Sequence, residues 1–124
     1  GVSFPVGIEN MDNRKDSFRS ADEIAQLLSD FPKFKAVLDI NHIFTNDSTM
    51  ELANDFYEKI GDRIAELHVS GFETYHEPFV VTHQENIIRA IRNKSTPMIH
   101  EAVMVPDEIE KERDYFLEVL QIRS

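Results

Sequence analysis

The chain has 124 residues, of which 41% are apolar and 29% charged, enough for one modest domain with a real core and too few for two. It contains no cysteine, which excludes a disulfide framework, a thiolate metal site and a cysteine nucleophile. Thirteen Lys and Arg against 23 Asp and Glu give a formal charge of −10, which argues against a surface built to grip phosphate backbones.

Short apolar runs alternate with longer amphipathic stretches. Phe4 to Met11 predicts a first strand, and Ile24, Leu27, Leu28 and Phe31 form the stripe of a first helix. Ala36 to Ile40 predicts the second strand; the helix after it carries Leu52, Phe56 and Ile60, with Tyr57 beside them. Ile64 to Val69 predicts the third strand, followed by a helix bearing Ile87, Ile88 and Ile91. Met98 to Val103 predicts the fourth, followed by a helix bearing Ile109, Tyr115, Phe116, Val119 and Leu120. A capping residue stands three before a glutamate at Ser20–Glu23, Ser48–Glu51, Thr82–Glu85 and Asp107–Glu110, each at the head of a stripe, and Pro106 precedes the last. In such a box the cap oxygen accepts from a first-turn N–H and the glutamate reaches back to the cap's own N–H. The order βαβαβαβα predicts a parallel sheet with helical crossovers. Its strand-to-helix loops share the C-terminal edge, where α/β folds place their chemistry.

Each predicted strand carries ionisable residues toward its end: Glu9 in the first, Asp39 in the second with His42 just beyond it, His68 in the third and Glu101 in the fourth. Glu9, Asp39, His68 and Glu101 are spaced 30, 29 and 33 residues apart, close to the roughly 30 residues of one barrel βα unit. Each unit therefore delivers one such side chain to the same edge. Three carboxylates and an imidazole brought together repel unless a cation joins them. That donor set, with no sulfur, suits one divalent ion: Mn²⁺, Mg²⁺, Co²⁺, Fe²⁺ or Zn²⁺.

His42, three beyond Asp39, is expected to face the same cavity and contact substrate, and His76, in the loop after the third strand, is a second substrate-contact candidate. His83 follows Thr82 and is expected on a solvated first turn. His100 precedes Glu101 on a strand and so points to the opposite, helix-packed face. Asn10, Asn41 and Ser70 are candidates for orienting the ligands.

The segments Ile-Glu-Asn-Met at 8–11, Leu-Asp-x-x-His at 38–42, Leu-His-Val-Ser at 67–70 and Ile-His-Glu at 99–101 resemble, in order and spacing, the C-terminal half of the xylose isomerase-like TIM barrels. That superfamily includes sugar isomerases, ketose 3-epimerases, hydroxypyruvate isomerase, inositol-catabolism enzymes and the type-four apurinic endonucleases. The resemblance runs from Val6 to about Leu120. It implies four βα units of a (β/α)8 barrel, with Glu9, Asp39, His68 and Glu101 as metal ligands. It also implies Glu9 and Glu101 as the acid/base pair that exchanges a proton beside a carbonyl, and His42 as a substrate contact. Two departures bear on the substrate. The endonucleases carry an Asp-x-His pair after the third of these strands; aligning its histidine with His76 or His83 puts Thr74 or Val81 at the aspartate. The epimerases place an arginine in that loop, whereas no arginine or lysine lies between His68 and Gln84.

The resemblance implies a single partial barrel domain over 1–124: a fragment, or a half-barrel that dimerises. The chain is accordingly expected to self-associate or to need an N-terminal half. The leading expectation is a divalent-metal-dependent isomerase or epimerase acting on a sugar or small polyol. An apurinic endonuclease-like phosphodiesterase stands second, disfavoured by the acidity and by Thr74 and Val81. A catalytically silent barrel protein stands third. No apolar run approaches the roughly 18 residues of a membrane span, and no basic region followed by an apolar stretch opens the chain, so a cytoplasmic location without a membrane partner is expected.

Overall fold

The computed structural model describes residues 5–121; Phe4, with which the first predicted strand begins, lies outside them. Four parallel strands form one sheet in the order β1-β2-β3-β4: β1 (Gly7–Glu9), β2 (Lys35–Asp39), β3 (Ile64–Val69) and β4 (Met98–His100). The crossovers carry α1 (Ala21–Asp30), α2 (Ile40–Asn46) with α3 (Leu52–Ile60), and α4 (Phe79–Thr82) with α5 (Glu85–Arg89); α6 (Ile109–Leu120) follows β4. Among the described residues no helix is long and apolar enough to cross a membrane.

The two faces of the sheet differ. Ala36, Leu38, Leu67 and Val69 are buried, in one cluster with Ile24 and Leu28 of α1, Ile43 of α2, Phe56 and Ile60 of α3, and Phe116 of α6. Strand side chains alternate between faces, so Glu9, Val37, Asp39, Glu66, His68 and Ile99 share the other face by the register of the ladder. That face is open: Ile99 is 48% exposed and Val37 is half-buried. The strands were read as buried runs; the helices cover only one side of each. This one-sided parallel sheet is consistent with half of a barrel.

Helix boundaries depart from the sequence reading in physically simple ways. Ser20 caps α1, accepting from the Glu23 N–H at 3.2 Å, and donates its hydroxyl to Glu23 Oε1 at 3.2 Å. At the second box Asp47 takes the place of Ser48: its carboxylate accepts from the Thr49 and Leu52 N–H groups at 3.0 and 2.8 Å. Thr82 heads no helix but closes α4, and His83 is that helix's left-handed C-cap at φ 54. Its expected first-turn placement is thereby corrected, although it is exposed as expected. At the last box a 3₁₀ turn, Pro106–Glu108, intervenes, and Glu108 Oε1 accepts from the Val105 N–H at 3.1 Å. Phe31 and Ile109, placed on apolar stripes, are 49% and 53% exposed. Phe31 ends α1 and stacks on Phe34 with centroids 5.0 Å apart.

Candidate functional site

The C-terminal ends of the strands converge through specific local contacts. Asn10, buried just beyond β1, extends the β1–β2 pairing with its side chain. Its Oδ1 accepts from the Asp39 N–H at 2.7 Å and its Nδ2 donates to the Asp39 carbonyl at 3.1 Å. This holds Glu9 and Asp39 side by side. Asp39 then caps α2, accepting the His42 N–H at 3.0 Å, so His42 stands on the first helical turn directly above it. Glu101 is placed by its N–H, which donates to the Val69 carbonyl at 2.9 Å and continues the β3–β4 pairing by one residue.

Glu9, Asp39, His68 and Glu101, the four residues expected to share a site, are brought together, and His42 joins them. Ligand atoms of Asp39, His68 and Glu101 lie within 4.8 Å of one another, as do those of Glu9, Asp39 and His42. These two acidic and histidine groups share Asp39, and each could hold a metal ion. His68 Nδ1 is 2.8 Å from Glu101 Oε1 and 3.2 Å from Glu9 Oε2. Neither oxygen lies where that nitrogen can hydrogen-bond it, so this buried ring atom has no hydrogen-bond partner. A ring nitrogen set between carboxylates that it does not bond is a position a shared cation would satisfy, and the donor set of oxygen and imidazole nitrogen fits a divalent ion.

The charges behave accordingly. Burial, reinforced by the Glu9 and Glu101 carboxylates and opposed by His42, pushes the Asp39 carboxyl up to about 6. Burial works against a charge on His68, yet the hydrogen bond it donates to Glu66 and the nearby Glu101, Glu9 and Asp39 carboxylates outweigh it and raise the imidazole above its ordinary 6.5. The Asp39 shift is chiefly the cost of burying a carboxylate, and the His68 shift reflects the carboxylates around the ring. A bound dication offsets those carboxylate charges.

Glu66 was not singled out from the sequence. It accepts a hydrogen bond from His68 Nε2 at 2.8 Å. The signal was present: Glu66 and His68 sit two apart on one strand and therefore on one face.

The remaining polar candidates divide. His42 donates from Nδ1 to the Asn10 carbonyl at 2.7 Å, and its Nε2 lies 3.4 Å from Asp39 Oδ2. His76 is anchored by Ser70 Oγ at 2.8 Å from its Nδ1 and sits edge-on to Tyr75. Burial lowers its pKa below the ordinary value. The two rings, with centroids 6.5 Å apart, line a cavity of about 70 Å³ with Arg14, Thr45 and Tyr75. Asn41 braces the loop after β3 by donating to the Gly71 and Tyr75 carbonyls at 2.8 and 3.3 Å. His100 points the other way, as expected. Its Nε2 is 2.7 Å from buried Glu112, which also accepts the Phe79 and Val80 N–H groups at 2.7 and 2.9 Å, and its ring packs on Phe79 and Phe116.

In comparisons with known proteins, the chain matches no family model and no curated protein.

Proposed function

We propose that this chain carries the metal centre of a divalent-metal-dependent isomerase or epimerase of the xylose isomerase-like barrel type, acting on a sugar or small polyol. The observation that carries the reading is His68 Nδ1: a buried nitrogen with no hydrogen-bond partner, within 3.2 Å of Glu9 and Glu101 and grouped with Asp39. Glu9, Asp39, His68 and Glu101 would hold the ion. When bound, it supplies Lewis acidity, polarising a carbonyl and the hydroxyl beside it.

The chain's own residues do the rest. Glu9 and Glu101 approach the same nitrogen from the ends of different strands, each about one-third exposed. One carboxylate accepts the proton from the carbon beside the substrate carbonyl, and the other returns a proton. His42 and His76, lining the adjoining cavity with Tyr75, orient the substrate's hydroxyl groups. Arg14, from the loop after β1 and ion-paired with Asp12 at 2.8 Å, also lines that cavity and puts a guanidinium beside a site whose own β3 loop has no arginine or lysine between His68 and Gln84. The open face of the sheet is closed by a further set of βα units, from an N-terminal half or a second copy.

The second acidic group, Glu9, Asp39 and His42, favours an alternative: a two-ion phosphodiesterase of the apurinic endonuclease type, since paired metals clamp a phosphoryl group. Thr74 and Val81 stand where that type carries a carboxylate, which ranks it second. The test is hydrogen exchange. The Mn²⁺-loaded chain is incubated with a panel of ketoses in D₂O, and deuterium at the carbon beside the carbonyl is followed by NMR. Incorporation that disappears in Glu9→Gln and Glu101→Gln supports the isomerase. Cleavage of abasic DNA with no exchange in any ketose overturns it in favour of the alternative.

A further inference from the structure

We propose that Glu66 is a positioning residue for the metal centre: it holds the Nε2–H of His68, so that Nδ1 is the atom offered to the ion. The inference rests on the metal-centre reading above. A carboxylate only accepts hydrogen bonds, so the 2.8 Å contact from His68 Nε2 to Glu66 Oε1 places a proton on Nε2. The neutral ring then carries its lone pair on Nδ1, the nitrogen that faces Glu9 and Glu101 without bonding either. The geometry follows from the strand. Glu66 and His68 are alternate residues of β3 on the open face, and the ladder pairs Glu66 with Val37 and His68 with Asp39. Glu66 therefore sits one layer below the cluster, beyond the ring it orients. Its neighbour at that level is apolar Val37, so no cation in the ladder competes for its carboxylate.

Carboxylate–histidine–metal chains of this kind fix ring orientation and strengthen the ligand, and removing the outer partner costs about 10- to 100-fold in metal affinity. Charge and orientation are separable here. Glutamine keeps an oxygen acceptor for Nε2–H without the negative charge, whereas leucine removes both. Mn²⁺ affinity is measured for the unaltered chain, Glu66→Gln and Glu66→Leu. In the Co²⁺-loaded, ¹⁵N-histidine-labelled chains, the exchangeable ring proton of His68 is assigned by NMR.

The proposal expects a loss of about 10- to 100-fold in Glu66→Leu and a clearly smaller loss in Glu66→Gln. It also expects a ring proton on Nε2 that persists in the unaltered and glutamine proteins and exchanges away in the leucine protein. Equal losses in the two variants would show that Glu66 acts through its charge alone, and no loss in either would show that it does not act on the centre; both overturn the proposal. The unaltered chain gives an answer even if Glu66→Leu does not fold, because a proton found on Nδ1 of metal-loaded His68 contradicts it directly. Failure of the unaltered chain to take up Mn²⁺ or Co²⁺ is a different result, which removes the metal centre and the role of Glu66 together.

Discussion

In protein kept metal-free by a chelator, Asp39→Asn is expected to stabilise the fold near neutral pH and to change little near pH 4. The Asp39 side chain is 2% exposed, and burial with the Glu9 and Glu101 charges moves its pKa from 3.8 to about 6. A rise of that size corresponds to about 3 kcal/mol. The sign follows from proton binding: the folded chain holds this proton more tightly than the unfolded chain does. The contribution of Asp39 is therefore fully present below 3.8 and is lost as pH rises through about 6. Asparagine stays neutral throughout and still presents an oxygen to the His42 N–H, so the cap on α2 survives. With m-values of about 1–3 kcal/mol per molar urea, a difference of about 3 kcal/mol moves the midpoint by roughly 1–3 M. Asp12 and Glu77, each held at about 2 by hydrogen bonds, act in the opposite sense; their contributions are present above their unfolded values and fall away as pH drops through about 2. They are common to both proteins and cancel in the difference. The assay is urea unfolding of both proteins, with chelator, across about pH 4 to 7. A difference that does not change with pH, or an asparagine variant less stable near pH 7, would refute the reasoning. Mn²⁺ at about 1,000 times its Kd is expected to reverse the order, since the ion then adds about 4 kcal/mol to the chain that binds it.

Two further perturbations probe the frame around the site. A Cβ added at Gly71 would lie 2.5 Å from Thr82 Oγ1 and 2.9 Å from the Glu77 carbonyl, so Gly71→Ala is expected to cost about 1–3 kcal/mol in urea unfolding; an unchanged midpoint would contradict this packing. Glu112→Leu strips the acceptor from the Phe79 and Val80 N–H groups and from His100. It is expected to cost about 3 kcal/mol and to speed amide exchange at Phe79 and Val80, and unaltered exchange at those two amides would show that Glu112 does not hold α4.

The strands and their strand-end residues were legible because two periodicities coincide in the sequence: short apolar runs, and one ionisable group about every 30 residues. Asn10 and Asn41 were read as supports and do brace the site, through bonds to backbone 29 and 30 residues away. The helix starts were less legible. A side chain three before a glutamate is necessary for a capping box but does not choose between neighbouring oxygens, and Asp47, with two, displaced Ser48. Helix α2 was missed because its cap is Asp39, a residue expected to bind the metal; its Oδ1 accepts the His42 N–H, and its Oδ2 lies 3.4 Å from His42 Nε2. The expected third helix is split because Pro78 starts α4 early and His83 turns the chain left-handed before α5. Glu66 was hidden by the habit of reading Ile64 to Val69 as a hydrophobic run, although its place two residues before His68 fixed its face.

The central claim is that Glu9, Asp39, His68 and Glu101 together hold one divalent ion. It is tested most directly by native mass spectrometry of the chain titrated with Mn²⁺, beside the His68→Ala and Glu101→Ala variants. The account predicts one ion per unaltered chain and none in either variant at the same free Mn²⁺. An unaltered chain that stays metal-free, or variants that take up the ion equally well, would contradict it.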